Sequence, residues 1–406
     1  MKVLAFNVKY SPNLGDGVLA SCLDRGLRQG DPDISVETLD LAGRNDFGAQ
    51  QSRRLYALSM LQMLPKGMRA AMVELVLRRR LRKLRELWWQ RIEEADAVVI
   101  GGGNLFQDDD LNFPSKIAAV LEGVQRARKP LAVFAVGVTP HWSARARELF
   151  AKLRDCKVVH VSVRDHGARE NWIAHFGQVF PVEVSPDPGL LAANLLPGAT
   201  QPDRGPPLIG LGVVHPLVLR RHSGIARTRI PLSREADYRL LVRWFIDAGL
   251  RVMLFTNGAE EDEHFLQSIL DDGGARAHVR DGSLIITPRP RTPEELVANL
   301  SRPSVLVAHR LHANIIAYSL GIPSVGLTWD QKVDSFFGET GRMEYLIRDN
   351  EVGPTGIGET ALRALEAGLD LSEQARQVRK ARFCLSHLAE KLRSASDRRL
   401  SNNANL

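Results

Sequence analysis

Long apolar runs are missing from this 406-residue chain. No stretch of about 18 uncharged apolar residues occurs, so no transmembrane helix is expected. The opening run Met1-Lys2-Val3-Leu4-Ala5-Phe6 is too short for a signal peptide and no small-residue cleavage site follows it, so it reads as a first strand. Cysteine is scarce. Cys22, Cys156 and Cys384 are odd in number and far apart, which excludes a disulfide framework and a paired metal spacing and leaves reduced thiols in a cytoplasmic protein. Internal repeats of about 20–50 residues are absent. So is a dinucleotide fingerprint: read as GxGxxG from Gly101, the third glycine would fall at Phe106.

An evenly spread charge is also lacking. The 54 basic and 47 acidic side chains leave a net +7. Between Lys66 and Arg91 stand nine basic residues (Lys66, Arg69, Arg78, Arg79, Arg80, Arg82, Lys83, Arg85, Arg91) against Glu74 and Glu86, so this segment carries the whole imbalance. With no second basic face and no nucleic-acid-reading motif, nucleic acid is not an expected partner. The segment reads either as a solvated helix face or, from the Met68, Met72, Leu75, Leu77, Leu81, Leu84, Leu87, Trp88 and Trp89 interleaved with the arginines, as a basic amphipathic helix for an anionic membrane surface.

What the chain does have is strand-like and helix-like runs in alternation, the pattern of an α/β protein with parallel sheets. Strands are expected at Lys2–Val8, Val36–Leu41, Ala97–Gly101, Leu131–Val138, Val158–Val163 and Val182–Ser185, then at Leu208–Val214, Arg251–Thr256, Ser283–Thr287, Val305–Ala308 and Ser324–Thr328. The polar, Pro- and Gly-rich stretch Leu196–Pro207 separates the halves. The expected organisation is residues 1–200 with a basic helical insert at 60–94, residues 201–340, and helices over 341–406 after the strand signal ends near Gly338. Two such halves imply a crevice, with ligands at the carboxyl ends of strands.

Those strand ends carry the candidates. After the first strand, Asn13, Gly15, Asp16 and Gly17 mark a turn into a helix, as a cap or as a site for an anion or a substrate hydroxyl. After the third, Gly101, Gly102 and Gly103 indicate backbone passing close to another group, with Asn104 next. Asp108, Asp109 and Asp110 read as a solvated loop rather than a metal site. Arg164 and Asp165 end another strand, either as a surface pair with a helix cap or with the guanidinium aimed at a carboxylate or phosphate. Asp187 sits between two prolines in a rigid turn. His215, Arg220, Arg221, His222, Arg227 and Arg229 form a basic loop that suits an acidic substrate or a mobile surface. Finally "AHRLHANIIAYSLGIPSVGL", residues 308–327, places Arg310 and His312 where a strand becomes a helix. A cation there opposes the helix dipole, and a bound anion would explain it. Asp330 and Lys332 stand at the neighbouring strand end.

Taken together, "NLGD", "VVIGGGNLF", "VFAVGV", "SVRD", "SPDPGLL", "HRLHANIIAYSLGIPSVGL" and "WDQKVDSFF" resemble the polysaccharide pyruvyl transferase family over about residues 1–340. His309 departs from its pattern, in which a small residue precedes the arginine. The resemblance implies two Rossmann-like, GT-B-like domains with parallel sheets facing across a cleft. It implies transfer of an enolpyruvyl unit from phosphoenolpyruvate to two hydroxyls of a sugar as a ketal, in exopolysaccharide or cell-surface polysaccharide biosynthesis. His312, Arg310 and Asp16 are then the expected catalytic residues. Arg164, Lys332, Leu311, Asn13, Gly102, Gly103, Asn104 and Asp187 are the expected substrate-binding ones. No metal or cofactor is expected beyond the phosphoenolpyruvate donor, and a sugar on a lipid diphosphate at the inner face of the cell membrane is among the expected acceptors. The competing readings are a GT-B sugar-nucleotide glycosyltransferase, for which "TNGAEEDEHF" offers ribose-binding acids, and a non-catalytic polysaccharide-assembly protein.

Overall fold

The computed structural model describes residues 1–47, 66–198, 205–222, 230–271, 273–349 and 352–404. Residues 60–65 of the basic insert, residues 199–204 of the loop between the halves, and Arg227 and Arg229 of the basic loop lie outside them.

Val-, Ile- and Leu-rich runs form two six-stranded sheets, and every pairing in both is parallel. The first contains β1 (Lys2–Asn7), β2 (Ser35–Asp40), β3 (Ala97–Phe106), β4 (Pro130–Val138), β5 (Lys157–Val163) and β6 (Glu183–Val184), in the order β2-β1-β3-β4-β5-β6. The second contains β7 (Leu208–Gly212), β8 (Arg251–Phe255), β9 (Leu284–Ile286), β10 (Val305–Ala308), β11 (Ser324–Leu327) and β12 (Leu346–Ile347), in the order β12-β11-β10-β7-β8-β9. Strand order therefore reverses between β1 and β3 in one sheet and between β10 and β7 in the other. Such reversals open the crevices in which parallel sheets hold ligands.

Two elements differ from the sequence reading. β3 does not stop at Gly101 but continues through the glycines to Phe106, with a register shift against β4 between Gly103 and Phe106. β12 forms beyond Gly338, where no strand was expected, because two residues at a sheet edge leave no pattern to read. Beyond it run the helices Gly353–Ala367 and Leu371–Ala404.

Two compact units result. One comprises Met1–Tyr10, Leu19–Pro188 and Arg379–Leu406, the other Ser11–Val18 and Gly189–Val378. The division thus falls at Pro188/Gly189, ahead of the Pro/Gly-rich stretch, and a short early segment groups with the later half. In the first unit β4 is buried along its whole length, and Phe106, Trp142, Phe150, Trp172 and Phe176 form an aromatic cluster beside it. In the second, β7, β8 and β10 are lined by Ile209, Leu211, Met253, Leu254 and Val307, all fully buried. Burial on both faces is why these strands read as continuous apolar runs.

The basic helix spans Lys66–Glu94. Its tryptophans pack inward, while Met68 and Leu87 are exposed apolar residues of the same helix. Trp88 is 1% exposed and packs edge-on against Phe6 at 5.6 Å, and the Trp89 indole N–H donates to the Ala119 carbonyl at 3.0 Å. Arg79, Arg80, Arg82 and Lys83 are exposed. Among the described residues, no helix is long and apolar enough to cross a membrane. None of the three cysteines is in a disulfide; Cys22 is buried, and Cys156 and Cys384 are half-buried.

Candidate active site

The second unit gathers its chemistry at the β10 end, on the strand-order reversal. The helix Leu311–Ser319 begins there with Arg310 as its N-cap, and no side chain caps the helix. Arg310 is held from the side: its Nη2 lies 2.6 Å from Oδ2 of Asp262, a carboxylate with no exposed surface. The other Asp262 oxygen accepts from the His215 backbone N–H at 2.8 Å. Burial works to lower the Arg310 pKa, but the Asp262 carboxylate outweighs it and raises it, so Arg310 is a fixed cation.

His312 is the second residue of this helix, with Nδ1 3.4 Å from Oδ1 of Asp16. That approach requires a glycine at position 15, since a Cβ there would lie 2.5 Å from the His312 Cβ. The segment carrying Gly15 and Asp16 is pinned to the loop after β8. The Leu14 N–H donates to the Asn257 carbonyl at 2.9 Å, and the Asn257 side-chain amide donates to Asn13 Oδ1 at 3.2 Å. Asn13 also accepts from the Gly15 N–H at 3.4 Å, so it serves as a local cap as well as a tether. Residues about 300 positions apart in sequence are thereby set side by side.

Lys332 belongs to the next strand end. Its Nζ is 2.9 Å from Asp330 Oδ2 and lies 4.4 Å from the centre of the Trp329 ring. The Trp329 indole N–H donates to the His309 carbonyl at 2.7 Å, tying the β11 end to the β10 end. His309 itself is fully buried, and its Nε2 donates to the Pro231 carbonyl at 2.7 Å. Burial pushes its pKa down to about 4, so the ring is neutral, and it acts as a strut between β10 and the segment around Pro231. That accounts for the histidine that departs from the family pattern. Leu311 is buried at the helix start, with its side chain inside the unit.

In the first unit, the candidates split. Asn104 and Arg164 come together over Gly137, where an added Cβ would lie 3.1 Å from Arg164 Nη2 and would also meet Asn104. Arg164 is 7% exposed, with Nε 3.3 Å from Asp165 Oδ2, and Asp165 caps the helix His166–Phe176 by accepting from the Ala168 N–H at 2.7 Å. The helix cap is therefore present, and the pair is buried rather than at the surface. Gly102 and Gly103 have φ of +77° and +89°. The close neighbour of Gly102 is internal, because a Cβ there would lie 2.7 Å from Leu19. Asp187 is buried next to the division between the units. Of the three consecutive acids, Asp108 accepts from the Leu111 and Ser143 N–H groups, and Asp109 accepts from the Asn112 amide.

Sequence reasoning missed Asp262. A signal for it exists: Asp262, Phe265, Leu266 and Ile269 share one helical stripe, and the other three are buried apolar residues. A carboxylate on an apolar stripe must find a partner or neutralise.

Solved structures share the fold at low identity. A putative UDP-N-acetylglucosamine 2-epimerase from Listeria monocytogenes is 12% identical, covering 97% of this chain and 96% of that one, with a TM-score of 0.54. The UDP-N-acetylglucosamine 2-epimerase from Rickettsia bellii is 11% identical over 98% and 97%, with a TM-score of 0.52. These likenesses establish an α/β two-unit, GT-B-like fold and nothing about activity. No curated protein matches the chain. A sequence model of the family described as polysaccharide pyruvyl transferase matches residues 13–331, a span that runs from Asn13 through Arg310 and His312 to the start of the Lys332 helix, and the chain therefore belongs to the polysaccharide pyruvyl transferase family.

Proposed function

We propose that the protein transfers the pyruvyl unit of phosphoenolpyruvate to two hydroxyls of one sugar residue, releasing phosphate. The observation that carries this reading is the pairing at the β10 end: a permanently charged Arg310, braced by buried Asp262, two residues before a histidine that faces a carboxylate. Phosphoenolpyruvate brings a carboxylate and a phosphate, which suit a guanidinium fork beside a helix N-terminus.

The chemistry requires that C3 of the enol gain a proton while a sugar hydroxyl adds to C2, giving a tetrahedral centre. Loss of phosphate from C2 and addition of the second hydroxyl complete the ketal. Of the two hydroxyl protons, one balances that gained by C3 and the other leaves with phosphate or solvent. His312 is the group proposed to carry these protons, with Asp16 orienting its ring and available to an acceptor hydroxyl. Arg310 and Lys332 offset the charge of the departing phosphate. Asn104 and Arg164 are proposed as a substrate-binding pair of the first unit. The acceptor is proposed to be a sugar on a lipid diphosphate, which the exposed cations of the Lys66–Glu94 helix suit at an anionic membrane surface.

Phosphate release from phosphoenolpyruvate, measured with candidate acceptors, tests the reading. His312→Ala is expected to lose at least about 100-fold in kcat with an unchanged circular dichroism spectrum. Full turnover by that variant removes His312 from the mechanism, and transfer from a sugar nucleotide in place of phosphoenolpyruvate rejects the reading.

A further inference from the structure

The second unit has a cavity at the edge opposite its proposed donor site. The helix Leu311–Ser319 runs from Arg310 back toward the start of β11, and the helix Gln331–Glu339 runs from Asp330 back toward the turn Met343–Tyr345 ahead of β12. Where both helices end, a cavity of about 290 Å³ is lined by Tyr318, Thr340, Arg342, Tyr345, Asp370 and Glu373, among others. It lies at the amino ends of β11 and β12, whereas Arg310, His312 and Lys332 follow carboxyl ends.

Arg342 is 8% exposed. Its Nη1 donates to the Gly368 carbonyl at 2.9 Å, and the guanidinium lies 4.4 Å from the centre of the Tyr345 ring. Those contacts engage one nitrogen and one face. Nε and Nη2 are buried without a hydrogen-bond partner among the described residues. Together they form one edge of the guanidinium, a planar fork that matches the two oxygens of a carboxylate. Tyr318 lines the same cavity, and its buried hydroxyl also has no partner among the described residues. The acids of the cavity are engaged elsewhere. Asp370 accepts from the Ser372 hydroxyl at 2.6 Å and from the Ser372 and Glu373 N–H groups at 2.9 and 3.1 Å. Glu373 accepts from Arg376 at 2.7 and 2.6 Å and from Gln377 at 2.9 Å. Burial accordingly lowers the Arg342 pKa, with Tyr345, Glu344 and Tyr318 opposing it, whereas the buried Asp262 carries that of Arg310 upward. A buried donor left unmade is costly, and more so on a charged group. A carboxylate on the free edge removes that cost.

We propose that the Arg342 cavity is a binding site for a small carboxylate, separate from the donor site at the far ends of the same two helices. The Nε and Nη2 edge takes the two carboxylate oxygens, with the Tyr345 ring holding the guanidinium plane. Glu344, Asp370 and Glu373 line the cavity as well, and their charge disfavours a phosphate dianion more than a single carboxylate. The site stands on the geometry of Arg342 and does not rest on the function proposed above.

Calorimetric titration with acetate tests it, with acetamide as the neutral counterpart of the same shape and Arg310→Gln as background, so that binding at the proposed donor site is removed. Saturable binding of acetate is expected to persist there, and acetamide is expected not to bind. Adding Arg342→Gln should weaken acetate binding about tenfold or more. Acetate should also raise the urea midpoint of the Arg310→Gln protein and leave that of the doubly substituted protein where it was. An arginine that only ties the Gly368 carbonyl would lower the midpoint by the same amount with and without acetate. If Arg342→Gln does not fold, Arg342→Lys keeps the charge without the fork and is expected to weaken the titration in the same direction. The proposal is overturned by no saturable acetate binding, by acetamide binding equally well, by acetate binding indifferent to both Arg342 substitutions, or by inorganic phosphate binding more tightly than acetate. Absence of turnover with phosphoenolpyruvate leaves this titration unaffected, so the two readings fail separately.

Discussion

Asp262 sits in the run Glu260-Glu261-Asp262-Glu263, which in sequence looks like an ordinary acidic helix start. In the fold it is the brace of Arg310, one charge buried against another. Removing one partner of a buried pair leaves an uncompensated charge, at a cost of about 3–5 kcal/mol. Asp262→Asn should therefore lower stability by an amount of that order and release the guanidinium from its fixed direction, so that KM for the donor rises more than kcat falls. Denaturant midpoints and steady-state kinetics on the same preparation check this. An unchanged KM would show that Arg310 needs no brace. His309 teaches the converse lesson. In sequence it stands beside two site residues and looks like a third, yet its ring is spent on the Pro231 carbonyl. Sequence adjacency located the site but could not say which way each side chain points.

The packing of β3 against the helix Leu14–Gly30 shows how far an element can be read. The apolar run ending at Gly101 was legible as a strand because both its faces are covered. Its continuation to Phe106 was not, because three glycines carry no hydrophobic pattern. The glycines suggest a close approach without naming the partner, and Leu19 was invisible as that partner until the helix was laid on the strand. Gly102→Ala combines a left-handed φ of +77° with a side chain 2.7 Å from Leu19, together worth about 2–4 kcal/mol of destabilisation. In a Leu19→Ala background the steric part should vanish and the penalty shrink, as urea denaturation of the four members of the cycle can measure. An equal penalty in both backgrounds would mean that backbone strain alone requires the glycine.

At the scale of the whole molecule, acid sensitivity follows from buried neutral histidines in each unit. His160 in the first and His309 in the second are both held near a pKa of about 4 by burial, against an ordinary value of 6.5. Between those values the unfolded chain binds protons that the fold refuses, so stability rises with pH across that window and is lost on acidification. From pH 7 to pH 5 each histidine should withdraw about 2 kcal/mol. Urea midpoints at the two pH values measure the loss, and His309→Gln should remove its share; a flat profile in the parent protein would refute the burial argument.

The unit boundaries have a temporal consequence. Ser11–Val18, which supplies Asp16 to His312, is made well before Gly189–Val378, with which it groups, and the first unit gains its Arg379–Leu406 segment only after both. At about 5–20 residues per second, the early carboxylate waits many seconds for its histidine. A chain truncated within the second half therefore carries all six strands of the first sheet without the late helical segment that completes that unit, and holds Ser11–Val18 without the strands it groups with.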